Sequence, residues 1–120
     1  MITELKPNEI FVFGSNTAGR HGAGAALCAR LDFGARYGIG EGLTGQCYAL
    51  PTLDANLQKR TREDLYESVR QFYLCAQRNP HLIFLLTKVG CGLAGYGEDF
   101  MKGLFESMPR LPNVRRPEGW

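Results

Sequence analysis

Apolar residues in this chain form two kinds of segment: short consecutive runs and longer stretches with helical spacing. Residues 10–13 are a β-branched and aromatic run, and residues 46–50 are a second run that stops at Pro51. Residues 82–86 are apolar at every position. Such runs predict strands, and the uniform third run predicts a central strand covered on both faces. We expect a last short strand at Val114.

Three stretches predict helices. Residues 23–33 are rich in Ala and Leu and are followed by Gly34. The clearest helix covers residues 62–78, where apolar residues recur at 4-3-4 spacing and Thr61 with Asp64 forms a capping sequence. A third helix is predicted to begin at Glu98 and Asp99 and to bury one face, formed by Phe100, Leu104, Phe105 and Met108.

The alternation of strands and helices predicts one α/β domain over residues 1–120. Its expected architecture is a three-layer α/β/α fold, with a mostly parallel or mixed sheet and helices on both faces.

Charge and composition narrow the function classes. The formal net charge is only +2, so we expect no direct nucleic-acid binding. No apolar run reaches membrane-spanning length, and residues 1–7 lack the regions of a signal peptide, so we expect a cytoplasmic protein without a membrane partner. The four cysteines are far apart, without a CxxC pair or a histidine at metal-ligand spacing, which predicts neither zinc nor disulfides. We expect no metal and no cofactor.

The 15 glycines cluster where chemistry is expected. Residues 14–24 follow the first predicted strand and residues 90–97 follow the third, so both loops belong at the carboxyl edge of a parallel sheet. Glycine lets a ligand approach the backbone, and successive free amides before a helix form an anion site. The pair predicts a diphosphate held from two sides; the alternative is that the glycines only turn the chain. A third glycine segment, residues 34–45, is predicted to be flexible.

Two common phosphate motifs do not fit. The first loop has the glycine spacing of a P-loop, but Arg20 and His21 replace its lysine and hydroxyl residue. Residues 22–27 begin like a dinucleotide-binding fingerprint but lack the third glycine. Neither an NTPase nor a Rossmann dehydrogenase is expected.

Both loops resemble those of macro domains. The first loop is similar to the strand end, asparagine and glycine loop of that family. Its residues are Phe13-Gly14-Ser15-Asn16, followed by Gly19-Arg20-His21-Gly22-Ala23-Gly24-Ala25-Ala26. Gly90-Cys91-Gly92-Leu93-Ala94-Gly95-Tyr96 resembles its second loop and the Gly-Cys-Gly-Leu of terminal ADP-ribose glycohydrolases. The resemblance spans roughly residues 10–108 and is greatest to compact macro-like proteins of phages and bacteria.

The resemblance implies binding of ADP-ribose or a related nucleotide, free or attached to a protein or nucleic acid. Asn16 would face the distal ribose, the amides of residues 22–25 and 92–96 would hold the diphosphate, and Tyr96 would stack near the ribose or shield the site. The implied ligand-contacting residues are Gly14, Ser15, Asn16, Gly22, Ala23, Gly24, Ala25, Gly90, Cys91, Gly92, Leu93, Ala94, Gly95 and Tyr96. The family's adenine-recognising aspartate has no counterpart in residues 4–8, so adenine selectivity is not implied.

Catalysis is a separate question, because Ala94 stands where the glycohydrolases have a catalytic aspartate. The leading hypothesis is a hydrolase of ADP-ribosyl linkages, with Asn16 positioning ribose and water and with His21 or Glu41 carrying protons. The alternative is a non-catalytic module that reads or sequesters ADP-ribose-derived nucleotides. A third hypothesis is an interaction domain whose glycine loops bind no ligand.

Overall fold

A computed structural model describes residues 4–120; the first three residues of the predicted domain lie outside the described range. Within that range the chain forms five strands and three helices. In chain order these are β1 (Glu9–Asn16), α1 (Gly24–Asp32), β2 (Gly42–Thr44), β3 (Cys47–Leu53), α2 (Arg62–Arg78), β4 (Ile83–Leu86), α3 (Glu98–Glu106) and β5 (Val114–Arg115).

The strands form one mixed sheet in the order β2-β3-β1-β4-β5. β1 runs parallel to both β3 and β4, β5 runs parallel to β4, and only β2 is antiparallel. Helices cover both faces, which confirms the predicted three-layer α/β/α arrangement. None of the helices in the described part of the chain has the length and hydropathy needed to cross a membrane.

Alternation along β1 separates two cores. Ile10 and Val12 point toward α2 and α3, where they join the larger core. Phe11 and Phe13 point the other way and pack with Ala29 of α1 in a smaller core. The two faces of β1 therefore fix α1 on one side of the sheet and α2 and α3 on the other.

The helix α2 matches its prediction at both ends. The Thr61 hydroxyl accepts a hydrogen bond from the Asp64 amide, and the helix ends at Arg78. Leu65, Val69 and Phe72 are fully buried on the predicted apolar face. The helical periodicity and the capping sequence together determined these limits.

Two predictions about strands are wrong. β3 continues through Pro51 to Leu53, because its pairing with β2 ends at Ala49 and Pro51 faces only β1. A proline lacking an N–H is tolerated where no partner needs that donor. No strand was expected within residues 34–45, where β2 forms and pairs with β3.

Two burial predictions also need correction. β4 is an inner strand of the sheet, but the central strand is β1. Only alternate residues of β4 are buried, because α1 covers β1 and β3 more than it covers β4. In α3, Met101 rather than Phe100 points into the core; Phe100 stays 39% exposed and stacks on Tyr96. Leu104 and Phe105 are buried as predicted, and Met108 is partly buried.

Candidate functional site

The sheet topology leaves a crevice at one point. β1 is central, with β3 and β4 on its two sides, and the helices that follow β1 and β4 pack on opposite faces of the sheet. Loops that diverge in this way open a ligand site outside the carboxyl ends of the strands. A cleft of about 830 Å³ lies there.

The cleft brings together most of the residues predicted from the sequence. Its lining includes Gly14, Ser15, Asn16, Gly22, Ala23, Gly24, Ala25, Gly90, Gly92, Leu93 and Ala94. The predicted residues outside the lining are His21, Glu41, Cys91, Gly95 and Tyr96.

Asn16 holds the first loop in shape. Its Nδ2 donates to the Arg20 carbonyl at 2.8 Å, and its Oδ1 accepts from the Arg20 amide at 3.0 Å. The Thr17 amide donates to the Leu53 carbonyl, which joins this loop to the end of β3. Asn16 therefore has a structural role at the cleft, with one N–H and one lone pair of its amide left over.

The N-terminus of α1 opens into the cleft without a cap. Its N-cap residue Ala23 supplies no side-chain hydrogen bond, and its first turn contains no acidic residue. By contrast, Thr61 caps α2, and Glu63 and Asp64 lie in the first turn of that helix. The amides of residues 22–26 have no protein acceptor within the described chain. A helix with free amides at its N-terminus favours an anion.

The second loop presents a shorter set of amides. The Gly95 amide donates to the Gly92 carbonyl, and the Tyr96 amide donates to the Gly90 carbonyl, so the loop is closed on itself. Within the described chain, the amides of residues 92–94 have no protein acceptor. The loop is thus a rigid turn whose middle amides remain available.

The two loops face each other closely. A methyl group added at Gly24 would lie 3.4 Å from Cδ1 of Leu93, and one added at Gly14 would lie 3.4 Å from the Gly90 nitrogen. Gly90 itself has φ +81°, and a Cβ there would press on Met101 and Tyr96. A Cβ added at Gly22 or Gly92 would instead meet no atom within 4 Å, so their lack of a side chain is not required by packing.

The charged side chains of the lining are cationic. Arg20 lies exposed beside the first loop, and Lys88 follows β4. Lys88 Nζ lies 2.9 Å from Glu98 Oε1. The hydrogen bond between them raises the pKa of Lys88 and lowers that of Glu98. Both cations complement an anion, although the ion pair with Glu98 partly neutralises the charge of Lys88.

The His21 side chain is turned from the first loop into the protein interior and does not line the cleft. Its ring is fully buried, packs edge-on against Phe13 and contacts Tyr37. Neither ring nitrogen has a hydrogen-bond partner among the described residues. Burial lowers the pKa of His21, partly offset by the nearby Ile39 backbone, and Arg30 lowers it further. The structure does not bring this imidazole to the cleft.

Glu41 and Cys91 are also directed elsewhere. Glu41 is exposed next to β2, whose pairing with β3 holds it at the sheet edge. The Cys91 side chain packs against the larger core, and burial raises the pKa of its thiol. A thiol with a raised pKa is a poor nucleophile.

Tyr96 fastens the second loop from outside the cleft. Its hydroxyl donates to the Thr52 carbonyl and accepts from the Arg60 amide, both at 2.8 Å. Lys59 Nζ donates to the Gly95 carbonyl and lies 5.2 Å from the centre of the Tyr96 ring. This tyrosine therefore positions the loop.

Several lining residues were not predicted from the sequence: Ala26, Thr52, Leu53, Leu57, Thr87 and Val89. Thr52 and Leu53 end β3, which is parallel to β1. The carboxyl ends of parallel strands meet at one edge of the sheet. This rule would have placed Thr52 and Leu53 at the cleft if the predicted strand had not stopped at Pro51. Leu57 had no sequence signal.

Within residues 4–120, no cluster of three His, Cys, Asp or Glu side chains is arranged to hold a metal ion. Comparison of the chain with protein-family models, with curated proteins and with solved structures finds no match in any of the three. The resemblance to macro domains stays a prediction.

Proposed function

We propose that the cleft binds ADP-ribose or a related nucleoside diphosphate and that the chain acts as a reader or sequestering module for it. The observation that carries this proposal is the pair of amide runs on the two sides of one cleft, residues 22–26 and residues 92–94. Each run alone suits an anion. Two runs facing each other suit two linked phosphates better than one.

The size and charge of the cleft support the same ligand class. About 830 Å³ falls in the range of pockets that enclose a ligand of nucleotide size. Arg20 and Lys88 add positive charge beside the amides, and Arg20 is free to form a forked contact to phosphate.

Binding without hydrolysis is favoured by where the proton carriers lie. His21 is buried in the protein interior, and Glu41 is exposed at the sheet edge. General acid–base catalysis needs such a group within hydrogen-bond reach of the reacting atoms. The hydrolase remains the second candidate, since Asn16 lines the cleft and one N–H of its amide is left over for a ribose or water.

Calorimetry with ADP-ribose, ADP and AMP tests the binding. We expect ADP-ribose and ADP to bind and AMP, which lacks the second phosphate, to bind at least tenfold more weakly. Gly22→Val and Gly92→Val should each weaken ADP-ribose binding at least tenfold, because both glycines line the cleft beside the free amides and a branched side chain there would crowd the ligand.

Gly103→Ala is the matched control, since Gly103 lies in α3 and also faces open space. It should leave the affinity unchanged. No binding at millimolar ligand, or wild-type affinity in both valine variants, would refute the proposal. Release of ADP-ribose from a modified protein or nucleic acid would establish the hydrolase instead of the reader.

A further inference from the structure

Two exposed leucines line the cleft from opposite sides of β1. Leu57 belongs to the loop after β3 and is 54% exposed; Leu93 belongs to the second glycine loop and is 80% exposed. β3 and β4 flank β1 in the sheet, so the two side chains rise from different walls. Ligand pockets are lined mainly by apolar side chains, so large ones that line a cleft are suited to contact its ligand.

The backbone of Leu57 is held in an unfavourable conformation. With φ of 59°, it is the only residue other than glycine with positive φ in the described part of the chain. A leucine there is unfavourable because its Cβ approaches the following carbonyl oxygen. Strain of this kind persists where the surrounding structure imposes it, and such positions cluster at ligand sites.

Asp54 imposes that conformation. Its Oδ1 accepts hydrogen bonds from the amides of Asn56 and Gln58, at 2.8 and 2.9 Å. The Asp54 carbonyl also accepts from the Leu57 amide, and the loop closes with a bridge between Leu53 and Lys59. The loop is therefore built to present Leu57 in one fixed position.

The four uncharged polar side chains of the cleft all bond to the backbone, and of these Asn16 keeps one further N–H. Hydroxyl donors bond to carbonyls in three cases, Ser15 to Gly40, Thr52 to Ser15 and Thr87 to Val12. Asn16 is engaged at both ends of its amide by Arg20. A base has distinctive hydrogen-bonding edges but similar apolar faces, so contacts from leucines distinguish bases poorly.

We infer that Leu57 and Leu93, called here the leucine pair, contact the ring faces of the nucleotide base, and that the cleft accepts purine and pyrimidine nucleoside diphosphates alike. This inference rests on the proposed function, because the diphosphate site brings the base to the leucine pair. The inferred ligand class of the cleft is therefore widened from ADP-ribose to nucleoside diphosphates with any base.

Calorimetry with ADP-ribose, UDP-glucose and pyrophosphate tests the inference, using Leu93→Ala and Leu57→Asn. Asparagine tolerates the left-handed conformation, so Leu57→Asn removes the apolar contact and relieves the strain. Each variant should bind ADP-ribose and UDP-glucose about three- to tenfold more weakly, the effect expected for losing part of a leucine contact. Their binding of pyrophosphate should be unchanged.

Leu31→Ala is the control, because Leu31 is 67% exposed on α1 and lies outside the cleft. It should retain the wild-type affinities. Wild-type affinity for ADP-ribose in both cleft variants, or binding of UDP-glucose more than a hundredfold weaker than ADP-ribose, would overturn the inference while the diphosphate site stands. Failure of all three ligands to bind the wild-type chain would overturn the proposed function and the inference with it.

Stability gives a second readout. Thermal unfolding of Leu57→Asn should occur at the same temperature as for the wild type or higher. A lower temperature combined with unchanged nucleotide affinity would show that Leu57 serves the fold alone, and it would also overturn the inference.

Discussion

The Tyr96 hydroxyl donates a 2.8 Å hydrogen bond to the Thr52 carbonyl, across 44 positions of the chain. The same oxygen accepts from the Arg60 amide. Since Thr52 lines the cleft and Tyr96 belongs to the second glycine loop, this hydroxyl ties two walls of the cleft together.

Tyr96→Phe should lower the free energy of unfolding by about 1–2 kcal/mol, because the partly buried Arg60 amide and Thr52 carbonyl both lose their partner. Ligand affinity should fall as well, since the second loop loses its attachment to β3. Urea unfolding and calorimetry measure the two effects. Unchanged values in both would contradict the structural role of this hydroxyl.

Gly45→Ala should destabilise the fold by about 2–5 kcal/mol. Gly45 has φ +56°, and an added Cβ would lie 2.2 Å from the Gly34 carbonyl oxygen, so strain and overlap combine. Gly103→Ala, in an exposed turn of α3, should instead stabilise by about 0.5–1 kcal/mol. The urea midpoint should shift downward in Gly45→Ala and upward in Gly103→Ala relative to the wild type. Shifts in the same direction would refute the prediction.

The burial of His21 predicts that the folded protein loses stability in acid. Burial holds the pKa of the folded imidazole below its ordinary value of 6.5. As pH falls below about 6.5, the unfolded chain binds a proton that the folded chain does not. The free energy of unfolding then falls by up to about 1.4 kcal/mol per pH unit, until the folded imidazole also becomes protonated.

His21→Leu should remove this share of the pH dependence and raise stability at pH 5 relative to the wild type, since an apolar side chain suits the site between Phe13 and Tyr37. Unfolding free energies at pH 7 and pH 5 provide the measurement. Equal slopes for His21→Leu and the wild type would refute the prediction.

Thr61→Ala should cost about 1 kcal/mol of stability, because the Asp64 amide at the start of α2 loses its acceptor. Thr61→Ser keeps a hydroxyl and should cost much less. Urea unfolding compares the two, and equal losses would show that the hydroxyl is not what stabilises this end of the helix.

Local signals predicted the fold well where they agreed with each other. The limits of α2 follow from Thr61, Asp64 and a regular apolar stripe, which all lie within the helix and its cap. The edge strand β2 escaped prediction because glycines dominate its segment and its stability comes from pairing with β3, which is not local. The choice between Phe100 and Met101 depended on the rotation of α3 against the sheet, which apolar spacing alone does not determine.

The cleft was also predictable in part, in its backbone more than in its side chains. Glycine clusters after two strands located both amide runs, since their chemistry is carried by the backbone itself. The directions of side chains were less predictable: His21 and Cys91 lie in the same two loops but turn toward the protein interior. Leu57 reaches the cleft only because Asp54 fixes the shape of a distant loop.

The two outer strands have a consequence for association between copies of the chain. β2 has three residues and β5 has two, whereas the β1 they enclose has eight. Unpaired backbone groups along a long outer strand can recruit a strand from another molecule, and short outer strands offer little to pair with. The apolar inner strands are thus shielded from sheet extension, so growth of this sheet into a fibril would first require β2 or β5 to detach.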